Sequence, residues 1–221
     1  MAHDGKSEES VKKVFVTWHD VQRQTQDILR QLQIDNWQPD YVVGITRGGL
    51  TVANLISQYL DVRMYTLDVR LRDGKPEDCE SNCWMAEEAF GYNDEAKTGI
   101  SGARWDPSLK KKILIVDDIN DSGATLNWIK QDWEASCSPS RDNSEHLWNI
   151  VWENTVRVAV LYDNTASESK LPIRYCAEEI NKVDDPSWIV FPWEEWWKRW
   201  DPSVKKEFFD NIKLQQEFAP R

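Results

Sequence analysis

Asp117, Asp118, Asp121, Ser122 and Thr125 fall close together, with Gly123 between the two hydroxyls. A short turn of this kind ahead of a helix binds phosphate well. The first backbone N–H groups of a helix have no partner inside it and point outward at an anion. Gly123 lets the backbone approach closely, and Ser122 and Thr125 add hydroxyl donors. Carboxylates beside a phosphate repel it unless they hold something else. A vicinal diol donates two hydrogen bonds to an Asp, and Mg2+ takes hard oxygen ligands together with substrate phosphates. No Gly-Lys-Ser/Thr follows, which disfavours an ATPase-type phosphate loop. The implied ligand is a sugar phosphate with free hydroxyls, accompanied by a metal. The plainer reading of this segment is a buried strand that ends in a solvated acidic turn.

These residues need a strand before them and a helix after them. Ile113 to Val116 is a continuous apolar run, mostly β-branched, and reads as a short buried strand that the two carboxylates end. Leu126 to Ala135 has helical character. A second unit of the same form lies upstream: a strand Tyr41–Ile45, the turn Thr46-Arg47-Gly48-Gly49, and a helix over about Leu50–Tyr59. Arg-Gly-Gly alone is often only a turn, but paired glycines expose backbone N–H groups and Arg47 adds a planar fork of donors.

Around these units, Lys13–Val16 reads as an edge strand. Thr17 reads as an N-cap, with Asp20 completing a capping box. Trp18, Val21, Thr25, Ile28 and Leu32 form the apolar stripe of the helix that follows. Val62–Val69 and Thr155–Tyr162 read as further strands, Trp84–Phe90 as one or two helical turns, and Trp148–Trp152 as a short helix or turn. Alternating strands and helices imply an α/β fold with a mainly parallel sheet and its ligand at the carboxyl ends of the strands. Both anion-binding turns fall there.

Composition narrows the function. The chain has 221 residues, 27 Lys and Arg against 38 Asp and Glu, and a net charge of −11. That balance disfavours nucleic-acid binding and adhesion to an anionic membrane surface. No apolar run is long enough to span a bilayer. The N-terminus is polar and lacks a signal-peptide core, and the four cysteines are sparse, which fits a cytoplasmic protein. Cys79 and Cys83 have no second pair at zinc spacing. Of the 13 tryptophans, most read as packing and one or two as stacking platforms for a flat ligand.

The segment Val116-Asp117-Asp118-Ile119-Asn120-Asp121-Ser122-Gly123-Ala124-Thr125 resembles the phosphoribosyl-pyrophosphate (PRPP) motif of the type I phosphoribosyltransferases. Arg47-Gly48 resembles their pyrophosphate loop, whose peptide can be cis. Ser187-Trp188-Ile189-Val190-Phe191-Pro192-Trp193-Glu194 resembles the base-binding segment of xanthine-guanine and fungal-type hypoxanthine-guanine phosphoribosyltransferases. The resemblance covers residues 14–195 and implies a twisted parallel sheet flanked by helices, with a small hood.

It also implies transfer of a phosphoribosyl group from PRPP to a nucleobase, most like the purine salvage reactions, with release of pyrophosphate. By this resemblance Asp117 and Asp118 hold the ribose hydroxyls, directly or through Mg2+. Asp121 is the catalytic residue at the base. Ser122, Gly123, Ala124 and Thr125 cradle the 5′-phosphate, and Arg47 and Gly48 take pyrophosphate. Trp188 stacks on the base, and the carbonyls of Trp188 and Ile189 receive donors from its edge. Trp193 reads as packing. The loop near 73–111 corresponds to the one that closes over the reacting centre.

The sequence departs from the family after the strand ending at Leu161, where purine enzymes of this type carry a Lys that donates to the 6-oxo group. Here Tyr162-Asp163-Asn164 stand, with no Lys before Lys170. Either Asn164 or Lys170 substitutes, or the base differs. Asn120 is a milder oddity. The alternative to an enzyme is a PRPP- or nucleotide-sensing protein of the same fold. The domain reading is a flexible segment over 1–12, a transferase domain over 13–195 with its base-binding hood near 163–195, and a C-terminal helical extension over 196–221. A homodimer or homotetramer is expected. Arg70, Arg72 and Lys75 either face the polyphosphate or lie in solvent.

Overall fold

The computed structural model describes residues 11–69, 71, 79–93, 104–137 and 144–194. The extension over 196–221, much of the 73–111 loop, and Arg70, Arg72 and Lys75 lie outside them. The chain divides into two compact units, residues 23–180 and a smaller one made from residues 1–22 and 181–221.

The larger unit is built on five parallel strands: β2 (Tyr41–Ile45), β3 (Arg63–Leu67), β6 (Ile113–Asn120), β7 (Val156–Asn164) and β8 (Ile173–Ile180), in the spatial order β3-β2-β6-β7-β8. Both faces are covered, which is why β2 and the first half of β6 are buried at every position. One core gathers Val43, Ile45, Ile113, Ile115, Val158 and Val160 with Leu126, Ile129 and Trp133 of α4 (Ala124–Ser136). Helix α2 (Gly49–Leu60) buries Val52, Ala53 and Ile56, and lies against β2 and β6.

Much of the tryptophan content is packing. Trp133 stacks on Trp152 at 5.5 Å between ring centroids, and Trp152 stacks on Trp148 at 5.4 Å. Trp148 lies in α5 (Ser144–Ile150), and Trp152 in the π-helical turn Val151–Thr155 that follows. Trp148 Nε1 donates to the Cys137 carbonyl (2.8 Å) and Trp152 Nε1 to Glu134 (2.9 Å).

The chain steps from β2 to β3 on one side and later crosses to β6 on the other side of β2, so the strand order reverses between β2 and β6. Such a reversal opens a crevice at the carboxyl ends of the strands, the usual ligand position in open α/β sheets. Strand β6 runs on past the end of its pairing with β2: Gly44 pairs with Val116, and Asp117 to Asn120 extend beyond. The carboxylates are therefore inside the strand and do not end it, because β7 continues to pair with this stretch as far as Asp163. Residues 173–180, in the segment expected as a hood, form the edge strand β8 of this sheet.

Helix α1 (Trp18–Ile34) begins with the expected capping box. Asp20 N donates to Thr17 Oγ1 (3.1 Å), and Thr17 N donates back to the Asp20 carboxylate (3.1 Å). Of the expected stripe, Val21, Thr25, Ile28 and Leu32 are buried, but Trp18 is exposed. Gln31 Nε2 donates to the Cys176 carbonyl and Gln24 Nε2 to Glu178, so side chains of α1 occupy polar groups of the edge strand β8.

Just past the end of α1, Asp35 accepts hydrogen bonds from Arg174 Nε (2.9 Å) and Nη2 (2.8 Å) and one from Arg157 (2.9 Å). Arg157 also lies over the Trp37 ring at 4.7 Å. The hydrogen bond from Arg174 holds the Asp35 carboxyl below its ordinary range. A lowered folded pKa contributes stability above the unfolded pKa, and that stability is lost as pH falls through the folded value. Asp35→Asn is therefore expected to lower the thermal midpoint at neutral pH. The gap from the parent should close as pH falls through the carboxylate range. A pH series of melts measures this, and a gap that does not change with pH would remove the charge from the explanation.

The smaller unit contains β1 (Lys12–Phe15) paired in parallel with β9 (Ser187–Val190), with Lys13 opposite Trp188. In the larger unit, α3 (Cys83–Phe90) is followed by a two-stranded antiparallel ribbon of β4 (Tyr92–Asn93) and β5 (Arg104–Trp105).

Candidate active site

The two turns expected to bind anions sit on neighbouring strands. Thr46–Gly49 follows β2, Asp121–Gly123 follows β6, and the two strands pair directly. The overhang of β6 places Asp117 and Asp118 against the first turn. A Cβ added at Gly48 would lie 1.8 Å from Asp118 Oδ2, and one at Gly49 would lie 2.2 Å from the Val116 carbonyl oxygen. At Gly49 the obstacle is backbone, so only glycine fits there between the helix start and the strand. The Gly49 backbone N–H donates to the Asp117 carboxylate. The Thr46–Arg47 peptide is cis. Thr46 is fixed by its N–H to the Leu67 carbonyl (2.9 Å) and by Oγ1 to Asp68 (2.6 Å), and Arg47 is exposed.

The Asp117 carboxyl is pushed well above the ordinary carboxylate range, first by burial and next by the negative charge of Asp118. Its Oδ1 accepts the Asp118 N–H at 2.9 Å. Two adjoining acids near the carboxyl end of the strand call for a positive charge or for hydroxyl donors. Among the described residues, no group of three His, Cys, Asp or Glu could hold a metal ion. The donor set fits Mg2+ as an ion shared between Asp117, Asp118 and the oxygens of a substrate, and does not make an all-protein cage.

The second turn has the expected cradle form. Gly123 has φ +82°, and α4 starts at Ala124. Asn127 N donates to the Gly123 carbonyl (2.9 Å), so the amides of Ala124, Thr125 and Leu126 precede the first helical bond. Ser122 Oγ accepts from Ala124 N at 3.3 Å. No basic side chain belongs to this turn, so backbone amides and the helix end supply its positive character. Asp117, Asp118, Asp121, Ser122, Gly123, Ala124, Thr125, Arg47 and Gly48 thus all fall at the carboxyl end of β2 and β6.

Trp188 and Ile189 belong to β9 in the smaller unit. Trp188 is 39% exposed and Ile189 is buried. Val16 N donates to the Val190 carbonyl (2.9 Å). By the two-residue period of a parallel ladder, the Trp188 carbonyl turns toward β1 and the Ile189 carbonyl turns away from it. Trp193 stacks on Phe191 with ring centroids 5.0 Å apart and nearly parallel planes, in keeping with a packing role.

The residues that stand where a base-edge lysine was expected have found other partners. Asn164 Nδ2 donates to the Asp121 carbonyl (2.9 Å), and its Oδ1 accepts from Ala166 N (3.2 Å). One hydrogen of its amide and the amide oxygen are thus engaged next to the turn. Asp163 Oδ1 accepts from Asn120 Nδ2 (2.7 Å), which also reaches Ser167 Oγ (2.8 Å). Asp68, Asn127 and the loop after β7 escape a reading of the sequence. Single Asn residues without motif spacing leave no signal, apart from the unusual Asn120.

Comparison with known proteins identifies relatives of the chain. Residues 17–200 match the family described as "Phosphoribosyl transferase domain". Xanthine phosphoribosyltransferase 1 of Saccharomyces cerevisiae is 20% identical over 203 residues, covering 83% of this chain and 90% of its own. Xanthine-guanine phosphoribosyltransferase of Cereibacter sphaeroides is 26% identical over 189 residues, covering 83% and 87%. Among solved structures, a Neisseria gonorrhoeae protein with bound ppGpp superposes with a TM-score of 0.51 at 18% identity, covering 84% of this chain and 91% of its own, a likeness of fold.

Proposed function

The chain belongs to the phosphoribosyl transferase family, and from that premise we propose that it transfers the 5-phosphoribosyl group of PRPP to a purine base and releases pyrophosphate. The observation that carries this is the placement of two glycine turns at the carboxyl ends of the paired strands β2 and β6, with Asp117 and Asp118 against the first of them. One turn suits the 5′-phosphate, the other suits pyrophosphate, and the acids between them suit the ribose hydroxyls. The yeast and bacterial relatives are named for xanthine and guanine, which supports the choice of base class.

In this reading Ser122, Gly123, Ala124 and Thr125 bind the 5′-phosphate through the amides at the start of α4. Asp117 and Asp118 orient the ribose and hold Mg2+ jointly with PRPP. When bound, Mg2+ neutralises charge on the departing pyrophosphate. Arg47 and the Gly48 turn bind the same group. The ribose carbon gains positive character as the bond to pyrophosphate breaks, and catalysis is mainly orientation and electrostatic stabilisation. Asp121 accepts or shares the proton of the incoming base nitrogen. Trp188 offers an aromatic face to the base and the Ile189 carbonyl an acceptor. A cytoplasmic homo-oligomer is part of the proposal.

Asp163 favours a second reading of the base. Its carboxylate, one oxygen of which already accepts from Asn120, offers acceptors and no donor where the resemblance puts a donor to the 6-oxo group, so it suits a base that carries an amino group at that position. The test is pyrophosphate release from PRPP and Mg2+ with single nucleobases supplied in turn. Release with hypoxanthine, xanthine or guanine supports the first reading, and release with a base that carries an amino group in place of the 6-oxo group supports the second. Silence across the panel, with PRPP still binding by calorimetry, would replace both with a PRPP-sensing protein. Trp188→Ala is expected to raise the KM for the base about tenfold and leave the KM for PRPP nearly unchanged, the order expected for one lost stacking contact. An unaltered base KM would return Trp188 to packing.

A further inference from the structure

We infer that the loop between β7 and β8 is a working part of the phosphate cradle, and that Asn164 and Asn127 are positioning residues that orient its amides. The inference rests on the proposed transferase reading of that cradle.

The loop runs along the turn and is tied to it at each step. Asn164 Nδ2 donates to the Asp121 carbonyl (2.9 Å), and Glu168 N donates to the Ser122 carbonyl (3.1 Å). Ser169 lies so close to Gly123 that an added Cβ would sit 2.4 Å from its nitrogen. Asn127, in the first turn of α4, closes the far end: Nδ2 donates to the Glu168 carbonyl (2.9 Å) and Oδ1 accepts from Lys170 N (2.7 Å). Ser167 N returns to the Asn164 carbonyl (2.8 Å), and buried Leu171 anchors the exit in the core.

The consequence follows from peptide geometry. In a trans peptide the C=O and N–H point in opposite directions. The Asp121 carbonyl shares a peptide with Ser122 N–H, and the Ser122 carbonyl shares one with Gly123 N–H. The only cis peptide among the described residues is Thr46–Arg47. With both carbonyls held by the loop, both N–H groups face the other way, alongside the first amides of α4. The loop thereby adds two aimed donors to the helix end. Asn164 also sets the peptide that carries Asp121, whereas Asn127 acts only at the far end of the loop.

The two substitutions should separate. Asn127→Ala is expected to raise the KM for PRPP about three- to tenfold with kcat and the base KM little changed, the effect of one or two hydrogen bonds. Asn164→Ala should raise the PRPP KM about tenfold and also lower kcat about tenfold. NMR order parameters of the Ser122 and Gly123 amides in the substrate-free protein should fall in both variants. If Asn164→Ala does not fold, Asn127→Ala carries the test alone, since alanine favours its helical position. Variants that lose thermal stability but keep parental KM, kcat and order parameters would overturn the inference. A parent protein that neither binds PRPP nor releases pyrophosphate from it would overturn the transferase reading instead. The order parameters need no substrate and would still decide whether the loop holds the two amides.

Discussion

Asp121→Ala is expected to cut kcat by about 10²- to 10⁴-fold, the range of a lost general acid/base group, while the affinity for PRPP stays nearly unchanged. The separation comes from where Asp121 sits. Its carbonyl is the part that Asn164 braces at 2.9 Å, and the substitution keeps that carbonyl. The cradle from Ser122 to Thr125 therefore retains its form. The acids that meet the Gly48–Gly49 turn are Asp117 and Asp118, which are also retained. What is removed is a carboxylate assigned to the base side of the reaction. In free-energy terms the loss is about 3–5 kcal/mol of transition-state stabilisation. Steady-state kinetics with the active base, together with PRPP titration by calorimetry, measures both halves. A parallel loss of PRPP affinity would mean that Asp121 serves the ribose or the metal, and its assignment to the base would fall.

The second large effect is expected at Gly49. In Gly49→Ala a methyl group would meet the Val116 carbonyl oxygen at 2.2 Å and the Asp117 Cα at 2.9 Å, both backbone atoms of a buried strand. Neither can swing aside, so β6 and the start of α2 must move apart, and the Gly49 N–H bond to Asp117 moves with them. Overpacking at a rigid site costs about 3 kcal/mol. For a chain of this size that corresponds to a fall of about 6–12 °C in thermal midpoint, with PRPP binding lost as well. Gly48 is the instructive neighbour. Its added Cβ would strike the Asp118 carboxylate at 1.8 Å, the end of a side chain that can rotate. Gly48→Ala should therefore keep most of the stability and lose PRPP affinity selectively. Thermal melts and calorimetry on the pair decide the matter. Equal melting points for the two variants would show that the backbone at Gly49 yields.

The legible parts of the fold are those whose local chemistry and tertiary role agree. The capping box of Thr17 and Asp20, the strand Tyr41–Ile45 and the helix after the Gly48 turn all form as the side chains alone imply. Both strand–turn–helix units are legible, since turn residues and apolar leads are local features. Long-range pairing is not. The extension of β6 through Asp117 and Asp118 depends on β7 pairing alongside it, and no apolar run marks it. Strand β8 carries Arg174, Glu178 and Glu179 and so lacks a clean alternation, yet it pairs along β7. Trp18 sits at a core-facing spacing and is still exposed, because the periodicity of a helix's first turn does not say whether the core reaches it. Asn164 is legible only as a missing lysine. Its actual engagement with the Asp121 carbonyl joins residues far apart in the chain, and no spacing rule reaches that far.

The stacked indoles of Trp133, Trp152 and Trp148 have a consequence beyond packing. They grip α4 in its C-terminal half, while its N-terminus opens on the proposed phosphate position. A helix held in this way is a dipole that cannot turn. Water around an anion must be ordered anew when the anion leaves bulk solvent, and a fixed row of peptide groups is ordered already. If α4 takes the 5′-phosphate as proposed, the tryptophan ladder readies its donors before the phosphate arrives.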